Sequence, residues 1–478
     1  MSQADIRFGT DGWRGVIADS YTFRNVHRVG VGIGRYLTRA VGERDPQVLV
    51  GHDTRFLARR FAETMARSLT RSGCRVALTP GFVTTPMLAA AIPHLGATAG
   101  VMITASHNPP QYLGVKLRLR DGAAAPPEVT TAIEGLLDGV GEDGFLEGAN
   151  HGLPTFDPWP PYRHRLLGLI KLPVEQVQGL TVLTDAMFGA SQGYARRLLE
   201  SVGVEGQDLH ARIDPTFGGT GPEPMPERLD GLREALLHLP GSRKVGFAFD
   251  GDGDRMAAVD EGGRFVTPHH IYALLLRHLV THLGRRGRVL KTVAMSLMVD
   301  KLAARYSLPV EEYPIGFKYV GKELARGGAL MGGEESGGIG FGDHIPERDA
   351  LLAALRLLEA MVVEGKSLGT LVQDLEGEIG PHRYRRVDLP LKGPVSTEAL
   401  QALPVNPSGV APPGTAISRH TLDGLKLRFG DQAWILLRPS GTEPILRLYA
   451  EGPDVVTVDR LLSWGQEKIV QFLPECCR

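Results

Sequence analysis

The sequence predicts an α/β protein with four domains: three similar α/β domains with mixed sheets, and a smaller α+β domain at the C-terminus. Strand-like and helix-like runs alternate from residue 47 to residue 364, a proline-rich segment interrupts them at 151–161, and short alternating runs replace the pattern from about residue 383. Alternating strands and helices are typical of parallel or mixed sheets covered by helices. A length of 478 residues also fits three or four domains.

Composition narrows the class of protein. Hydrophobic residues make up 42% of the chain and charged residues 22%, as in soluble proteins with well-filled cores. The formal net charge of −1 predicts no general attraction to nucleic acid or to anionic membranes. We find no apolar run near the roughly 18 residues of a membrane span and no signal-peptide pattern at the start. We therefore expect a cytoplasmic protein.

Cysteine usage agrees with that expectation. The chain has only Cys74, Cys476 and Cys477. Such a set offers neither a disulfide framework nor a zinc site of paired spacing.

We assign the first domain to residues 1–153. A Gly-rich segment, Ile6–Gly15, precedes a helix whose three glycines predict close packing on a neighbour: Gly30, Gly32 and Gly34. A dinucleotide fingerprint is rejected there, because Arg35 replaces its third glycine and no strand precedes it. The predicted elements that follow are strand Gln47–Gly51, helix Phe61–Leu69, strand Val76–Leu78, helix Met87–Ile92, strand Val101–Ile103 and strand Val115–Leu119.

The second and third domains repeat this alternation, over residues 154–262 and 263–380. The second is predicted to contain helix Tyr162–Ile170, strand Thr181–Thr184, helix Tyr194–Val202, helix Arg228–Leu237 and strand Val245–Phe249. The third is predicted to contain helix Ile271–Leu283, strand Arg288–Thr292, helix Met298–Tyr306, strand Val310–Tyr313, a helix after Tyr319 and helix Arg348–Glu364.

The fourth domain is assigned to residues 381–478. Its predicted elements are strand Ala433–Leu437, strand Ile445–Ala450 and helix Val455–Phe472. We find no fixed-period repeat anywhere in the chain.

Ser106 lies where the strand Val101–Ile103 ends, and Asn108 and two prolines follow it within four residues. Proline fixes φ and disfavours helix in the residue before it, so a sharp turn is expected here. A serine at such a strand end can act as a nucleophile or carry a phosphoryl group. Alternatively, Ser106 and Asn108 only satisfy backbone groups of the turn.

Asp250, Asp252 and Asp254 alternate with glycines directly after a buried strand. Three carboxylates this close repel one another, and a hard divalent cation with oxygen ligands is the simplest compensation. An EF-hand is rejected, because Arg255 occupies the position that needs glycine. A solvated acidic turn is the alternative.

Three further loops are polar. Arg438–Pro444 offers a guanidinium, two hydroxyls and loop N–H groups, which suit a phosphate, although a capped hairpin would look the same. Gly333–Gly338 carries carboxylates and a hydroxyl that suit sugar hydroxyl groups. Gly316–Lys322 spells most of a P-loop, but Glu323 replaces the residue that holds magnesium; Lys318 could still reach an anion.

Together the loops describe phosphoryl transfer on a sugar phosphate, and at this point the chain resembles the α-D-phosphohexomutase superfamily. Its four motifs occur here in order as Thr104–Pro109, Asp250–Arg255, Gly333–Gly337 and Arg438–Pro444. The resemblance covers essentially the whole chain and is of the phosphoglucomutase/phosphomannomutase type. It implies four domains around a central cleft.

The resemblance also implies residue roles. Ser106 is similar to the residue that is phosphorylated in the active enzyme. Asp250, Asp252 and Asp254 are similar to Mg²⁺ ligands, with phospho-Ser106 completing the site. The other implied positions are Glu334 and Ser336 for sugar hydroxyls, Arg438, Ser440, Gly441 and Thr442 for the phosphate that is not transferred, Arg14, Lys116, Arg255 and Lys318 as cations of the cleft, and His107 and Asn108 beside the serine.

Two positions depart from the family pattern. Leu113 stands where many members have Asn. Gly338 stands where members that handle mannose or glucosamine often carry His, and the text around it is closer to phosphoglucomutases. We therefore expect glucose as the sugar, with mannose or dual specificity as the alternative. Lys116 and His344 are the candidates for general acid and base.

The expected reaction transfers phosphoryl from Ser106 to glucose 1-phosphate or glucose 6-phosphate and back from the other end of a bisphosphate, with glucose 1,6-bisphosphate as intermediate and activator. A metal-dependent phosphatase or kinase is the rival enzyme class, and a sugar-phosphate sensor is the non-enzymatic one. We expect a hexose phosphate as the partner, no nucleic acid or membrane, and a monomer or homodimer.

Overall fold

The computed structural model describes residues 6–140, 152–393, 395–403, 410, 417–440 and 445–473. The chain forms two compact units, one of Met1–Ile271 with Gly316–Thr370 and one of Tyr272–Ile315 with Leu371–Arg478. Among the described residues, no helix has the length and apolar character to cross a membrane.

The first α/β domain contains a mixed sheet covered by helices. Its elements are β1 (Trp13–Val16), α1 (Phe23–Arg35), β2 (Gln47–His52), α2 (Ala58–Arg71), β3 (Arg75–Leu78), α3 (Thr85–His94), β4 (Ala99–Ile103), β5 (Tyr112–Leu119) and α4 (Pro127–Glu134). The strand order is β1-β5-β4-β2-β3; β2 runs parallel to β3 and β4, whereas β5 is antiparallel to β4 and β1. Val48–Val50 are fully buried, as expected for strands covered on both faces.

The glycines of α1 have the predicted role in packing. A β-carbon at Gly30 would lie 2.7 Å from Ser68 Cβ, and one at Gly34 would lie 2.3 Å from Ser72 Cβ. Helix α2 therefore approaches α1 more closely than larger residues would allow, and the packing of these two helices in the first domain depends on that contact.

The second α/β domain repeats the arrangement of the first. Its elements are α5 (Trp159–Leu169), β6 (Thr181–Asp185), α6 (Tyr194–Ser201), β7 (Glu205–Leu209), α7 (Asp230–His238), β8 (Lys244–Phe249), β9 (Met256–Val259) and β10 (Phe265–Val266). The strand order is β10-β9-β8-β6-β7. Strand β7, Glu-Gly-Gln-Asp-Leu, has little intrinsic strand preference and escaped prediction; parallel pairing with β6 holds it at the edge.

The third α/β stretch contributes to both units. Its elements are α8 (Pro268–Thr281), β11 (Arg288–Thr292), α9 (Leu297–Arg305), β12 (Val310–Tyr313), α10 (Phe317–Ala325), β13 (Ala329–Gly333), β14 (Ile339–Phe341), α11 (Ala350–Glu364) and α12 (Leu368–Ile379). In the second unit β11 is parallel to β12, and in the first unit β13 is antiparallel to β14.

The C-terminal domain is an antiparallel sheet with a long helix on it. Its elements are β15 (Arg383–Pro390), α13 (Thr397–Gln401), β16 (Ile417–His420), β17 (Leu425–Phe429), β18 (Ala433–Pro439), β19 (Ile445–Gly452) and α14 (Val455–Phe472). The strand order is β15-β19-β18-β17-β16. Val458, Leu461 and Trp464 of α14 join the apolar residues of the sheet in one core.

A topological repeat underlies the three α/β domains, although no sequence period reveals it. Each contains the succession strand, helix, strand, helix, strand, strand: β2-α2-β3-α3-β4-β5, β6-α6-β7-α7-β8-β9 and β11-α9-β12-α10-β13-β14. We name three loops after their predicted roles: the serine loop around Ser106, the aspartate loop Asp250–Arg255 and the sugar loop Gly333–Gly338. All three lie between the last two strands of this succession. Equivalent loops of three domains therefore carry the predicted chemistry.

Candidate active site

Ser106 follows β4 in a tightly held turn. Its backbone N–H donates to Thr104 Oγ1 at 2.9 Å, and the Thr104 hydroxyl donates to Asp53 Oδ2 at 2.6 Å. Ser106 has φ +52°, a left-handed conformation that is uncommon outside glycine. Its hydroxyl donates to Asp250 Oδ2 at 2.8 Å. The serine of the first domain is thus in direct contact with the aspartate loop of the second.

The aspartate loop follows β8. Asp250 Oδ1 accepts the backbone N–H groups of Asp254 at 3.0 Å and Arg255 at 3.2 Å. A β-carbon at Gly251 would lie 2.4 Å from the carbonyl oxygen of Ser106, so glycine is required for the serine loop to come this close. Gly253 has φ +70°, which turns the chain so that three carboxylates converge.

The three carboxylates fit a hard divalent cation. Each offers one oxygen, and these oxygens lie within 4.8 Å of one another. The Oδ1 atoms of Asp252 and Asp254 are buried, and neither has a hydrogen-bond partner, a state that costs free energy unless a ligand compensates it. Burial, together with repulsion from Asp254 and Asp252, raises the pKa of Asp250 well above its ordinary value. The donor set, oxygens only, suits magnesium, manganese or calcium.

Lys116 lies on β5, opposite Met102 of β4, and faces the same carboxylates. Its Nζ is 2.8 Å from Asp252 Oδ2, from Asp254 Oδ2 and from Asp11 Oδ2. Burial favours the neutral amine, but these three carboxylates outweigh it and raise the pKa of Lys116 above its ordinary value. Lys116 is therefore a firm cation in contact with Asp252 and Asp254 of the aspartate loop.

Sequence reasoning missed Arg348, which connects three parts of the site. Its Nη2 donates to Asp11 Oδ2 at 2.6 Å and to Asp254 Oδ2 at 2.7 Å, and its Nη1 donates to Glu334 Oε2 at 3.1 Å. The side chain is almost completely buried. No motif marks Arg348; the only signal was the density of charge from Asp343 to Asp349.

The sugar loop lies between β13 and β14 and pairs with the aspartate loop. Gly338 forms an antiparallel bridge with Arg255, and the Gly337 carbonyl accepts the N–H of Met256 at 3.2 Å. Glu334 is buried, and its Oε1 accepts the N–H of Gly316 at 3.1 Å. Burial raises its pKa, although Arg348 opposes this effect.

Four other predicted residues lie in the same unit. Arg14 donates to Asn108 Oδ1 at 2.5 Å, and Arg255 Nε is 3.8 Å from Asp254 Oδ1. Ser336 is half-buried in the sugar loop, and Lys318 is half-buried in the first turn of α10. Burial lowers the pKa of Lys318, although Asp11 opposes the effect.

His107 directly follows the serine. Its Nδ1 is 3.4 Å from Ser106 Oγ. Burial and the positive charges of Arg255 and Arg14 hold the pKa of His107 well below its ordinary value. The imidazole is therefore neutral, and it can orient the hydroxyl without adding charge.

A second residue missed from the sequence, Arg55, holds the serine loop. Its guanidinium donates to four backbone carbonyls of that loop, those of Ser106, Asn108, Pro109 and Tyr112, at 2.6–3.0 Å. Asp53 lies 3.3 Å from its Nε. The residues follow β2, whose C-terminal end lies beside that of the parallel strand β4; this strand-end position was the available signal.

His344 is not brought to Ser106 by any described contact. Its Nδ1 accepts from Arg165 Nε at 2.9 Å, and its Nε2 is 2.8 Å from Asp349 Oδ2. Because arginine only donates, Nδ1 carries no proton and Nε2 donates to Asp349. Both ring nitrogens are thus engaged, and neither is left to exchange a proton with a substrate.

The phosphate loop belongs to the second unit. Arg438, at the end of β18, pairs with Asp423 through Nε at 2.9 Å, and the N–H of Ser440 donates to the Ile445 carbonyl at 2.9 Å. The bond between Ser440 and Ile445 lies at the base of the β18–β19 hairpin, whereas the pair with Asp423 connects β18 to the segment before β17. Gly441 and Thr442, the other two predicted contacts, lie outside the described residues.

A nucleophilic hydroxyl, a buried trio of carboxylates, a fixed ammonium and a guanidinium thus meet at one place. Such a site can hold a cation against three carboxylates and stabilise negative charge that develops on a phosphoryl group beside Ser106. Phosphoryl transfer is the reaction class that these groups suit.

Sequence models of one family match four successive parts of the chain. They describe phosphoglucomutase/phosphomannomutase: alpha/beta/alpha domain I at residues 5–142, alpha/beta/alpha domain II at 160–263, alpha/beta/alpha domain III at 267–378 and the C-terminal domain at 395–463.

Individual relatives match over nearly the full length. A phosphoglucomutase/phosphomannomutase of Thermococcus kodakarensis is 31% identical over 468 residues, which cover 98% of this chain and 99% of the relative. A phosphoglucosamine mutase of Levilactobacillus brevis is 32% identical and covers 94% of this chain and 95% of the relative. The crystal structure of a Thermus thermophilus protein assigned as a phosphomannomutase has 34% identity and a TM-score of 0.85, over 98% of this chain and 99% of that one.

Proposed function

The chain belongs to the phosphoglucomutase/phosphomannomutase family and is a phosphohexomutase, and we propose that it interconverts glucose 1-phosphate and glucose 6-phosphate through a phosphorylated Ser106. The observation that supports this most is the contact between the Ser106 hydroxyl and Asp250 at 2.8 Å. It puts the proposed phosphoryl carrier beside the one cluster of carboxylates in the described residues that fits a cation.

We assign magnesium to the Asp250, Asp252 and Asp254 carboxylates, together with the group carried on Ser106. Bound there, a magnesium ion supplies positive charge to the oxygens of the phosphoryl group. The chain's own residues do the remaining work. Arg255 belongs to the aspartate loop and Lys116 contacts it, and both neutralise charge as the phosphoryl group moves.

In the proposed transfer, a sugar hydroxyl attacks the phosphorus carried on Ser106, and the bond between phosphorus and Oγ breaks. Lys116, which is held protonated, supplies a proton to the departing Oγ and takes up the proton that the attacking sugar hydroxyl loses, so that it is an ammonium again at the end of the step. His107, which is neutral, keeps the side-chain oxygen of Ser106 oriented. The arrangement is equally suited to the reverse step, in which Ser106 recovers a phosphoryl group from the other end of glucose 1,6-bisphosphate.

Substrate binding is proposed at two loops. Glu334 and Ser336 would bind sugar hydroxyls, with Arg14 and Lys318 as cations for the approaching phosphate. Arg438, Ser440, Gly441 and Thr442 would bind the phosphate that is not transferred. The proposed domain limits are those of the sequence, 1–153, 154–262, 263–380 and 381–478.

A neutral sugar is favoured over an amino sugar by the state of Glu334. Its carboxylate is already paired with the permanently charged Arg348 at 3.1 Å. An ammonium at C2 of glucosamine phosphate would compete with that guanidinium, whereas a hydroxyl can bind beside it. Phosphomannomutase or dual activity remains the second candidate, because relatives carry both names. Because other relatives are phosphoglucosamine mutases, glucosamine 1-phosphate is also included in the test below.

The experiment combines mass spectrometry with a rate assay. The purified protein is incubated with glucose 1,6-bisphosphate, and phosphate is located by peptide mapping. Isomerisation of glucose, mannose and glucosamine 1-phosphates is then compared with release of free phosphate. We expect phosphate on Ser106, fastest turnover on glucose, and near-complete loss of turnover in Ser106→Ala but not in Ser396→Ala. Phosphate release that outpaces isomerisation would indicate a phosphatase, and full activity of Ser106→Ala would refute the carrier.

A further inference from the structure

A polar cavity lies on the first domain and shares no residue with the site around Ser106. Its volume is about 350 Å³, and its lining includes His27, Val31, Arg35, Arg39, Arg71 and Ser72. This is within the range of small-molecule sites, which begin near 300 Å³. Val140 completes the lining, and three of the seven lining residues are arginines, so the charge of the cavity is positive.

One wall is a stripe of side chains on a single helix. His27, Val31, Arg35 and Arg39 follow one another at intervals of four residues. In an α-helix of 3.6 residues per turn, residues spaced four apart shift gradually around the helix and do not stay on one face. Here the α-helix gives way to a π-helical segment at Tyr36–Ala40, whose wider turns counter that drift. π-Helical segments are uncommon in proteins, but those that do occur are often found at functional sites.

Another part of the lining is the C-terminal end of α2. Arg71 is the last residue of that helix and Ser72 caps it. The close contact between Gly34 and Ser72, where a β-carbon would approach to 2.3 Å, brings this end of α2 against α1. The glycine therefore brings the end of α2 that carries Arg71 close to the part of α1 that carries Arg35, and both arginines line the cavity.

The described lining of the cavity carries positive charge and no carboxylate. Arg35 is fixed in place, because its Nη1 donates to the carbonyls of Leu136 at 3.1 Å and Asp138 at 3.5 Å. Those two acceptors are uncharged, so they hold the guanidinium without neutralising it. Two exposed arginines, Arg39 and Arg71, line the same cavity.

We propose that this cavity binds a small phosphorylated metabolite with at least two negative charges. Guanidinium groups form planar, paired hydrogen bonds with phosphate oxygens, and a tetrahedral phosphate can accept such bonds from several directions at once. Arginines on two facing helices match that geometry. The proposal does not depend on the reaction catalysed at Ser106.

Pyrophosphate is the probe, and amide hydrogen exchange locates where it binds. With saturating pyrophosphate we expect peptides that cover residues 31–41 and 69–75 to exchange more slowly, by about fivefold or more. This readout separates the cavity from any binding near Ser106, which would protect other peptides. Exchange that is unchanged in both segments would overturn the proposal.

Two double variants test the charge requirement. In Arg39→Gln with Arg71→Gln, protection of these segments should vanish and the dissociation constant there should rise by about tenfold or more. The control is Arg59→Gln with Arg60→Gln, which removes the same charge from α2 outside the lining and should keep the protection. Equal losses in both variants would indicate non-specific charge attraction and refute a built site. Citrate provides the last arm: protection equal to that by pyrophosphate would refute a phosphoryl preference.

Discussion

The side chain of Arg348 fills the space that a side chain at Gly338 would need. A β-carbon at position 338 would lie 2.2 Å from Arg348 Cδ and 3.0 Å from its Cγ. Only glycine leaves this room, and the guanidinium that uses it reaches Glu334, Asp254 and Asp11. Glycine at position 338 is therefore a condition for the path that the Arg348 side chain takes to these three carboxylates.

Gly338→Ala should displace Arg348 and weaken the mutase. The clash with a buried side chain should cost about 1–3 kcal/mol of unfolding free energy. Loss of the Arg348 contacts should lower kcat/KM for glucose 1-phosphate roughly tenfold, equivalent to about 1.4 kcal/mol, and change its ratio to that for mannose 1-phosphate. Gly377→Ala is the control, because nothing lies within 4 Å of that position. A normal kcat/KM and sugar ratio would mean that Arg348 does not act on the sugar loop.

Arg55→Met should impair catalysis through the serine loop. Without the guanidinium, four loop carbonyls lose their donor, and Ser106 is no longer fixed in its left-handed conformation. We expect kcat to fall about 100-fold with little change in KM, since small misplacement of a reacting group has effects of that size. Arg55→Lys should restore part of the rate, and Arg59→Met, at an exposed position of α2, should have no effect. If KM rises and kcat stays normal, Arg55 acts on binding instead.

Asp252→Asn should weaken magnesium binding roughly 100-fold or more, because a hard cation loses a charged oxygen ligand. Isothermal titration with magnesium measures this directly, without any substrate. Asp260→Asn, at another buried carboxylate of the same domain, is the control and should leave the affinity intact. Equal magnesium affinity in wild type and Asp252→Asn would remove the metal assignment.

Because of Lys426, the unfolding free energy should change with pH in the alkaline range. Burial and the like charge of Lys291 lower its pKa from 10.5 to about 8, although Glu312 opposes the shift. Between these values the unfolded chain binds more protons than the folded one, so the unfolding free energy should rise with pH across that window. Relative to Lys426→Met, the wild type should gain up to about 3 kcal/mol between pH 8 and 10.5.

Urea unfolding at several pH values measures that difference. Lys468→Met, on α14, is the matched control and should run parallel to the wild type. A constant difference between wild type and Lys426→Met across the window would show that Lys426 titrates normally.

The sequence determined the α/β class, the different α+β character of the C-terminal domain and the loops with the candidate site residues. Strong local signals explain this success: buried runs such as Val245–Phe249 must be covered, and Asp-Gly alternation after such a strand has few structural explanations. The same reasoning located Ser106 at a strand end. The family resemblance, carried by four motifs, was confirmed by the comparisons over nearly the whole chain.

Only the tertiary structure revealed Arg55 and Arg348. Each acts across a long separation in sequence: Arg55 on a loop about fifty residues away, and Arg348 on Asp11, 337 residues away. An isolated arginine has no periodicity or motif, so its partners are set by how strands and loops meet. Weak edge strands such as β1 and β7 escaped prediction for the same reason, because they exist through pairing with a neighbour and not through their own residues.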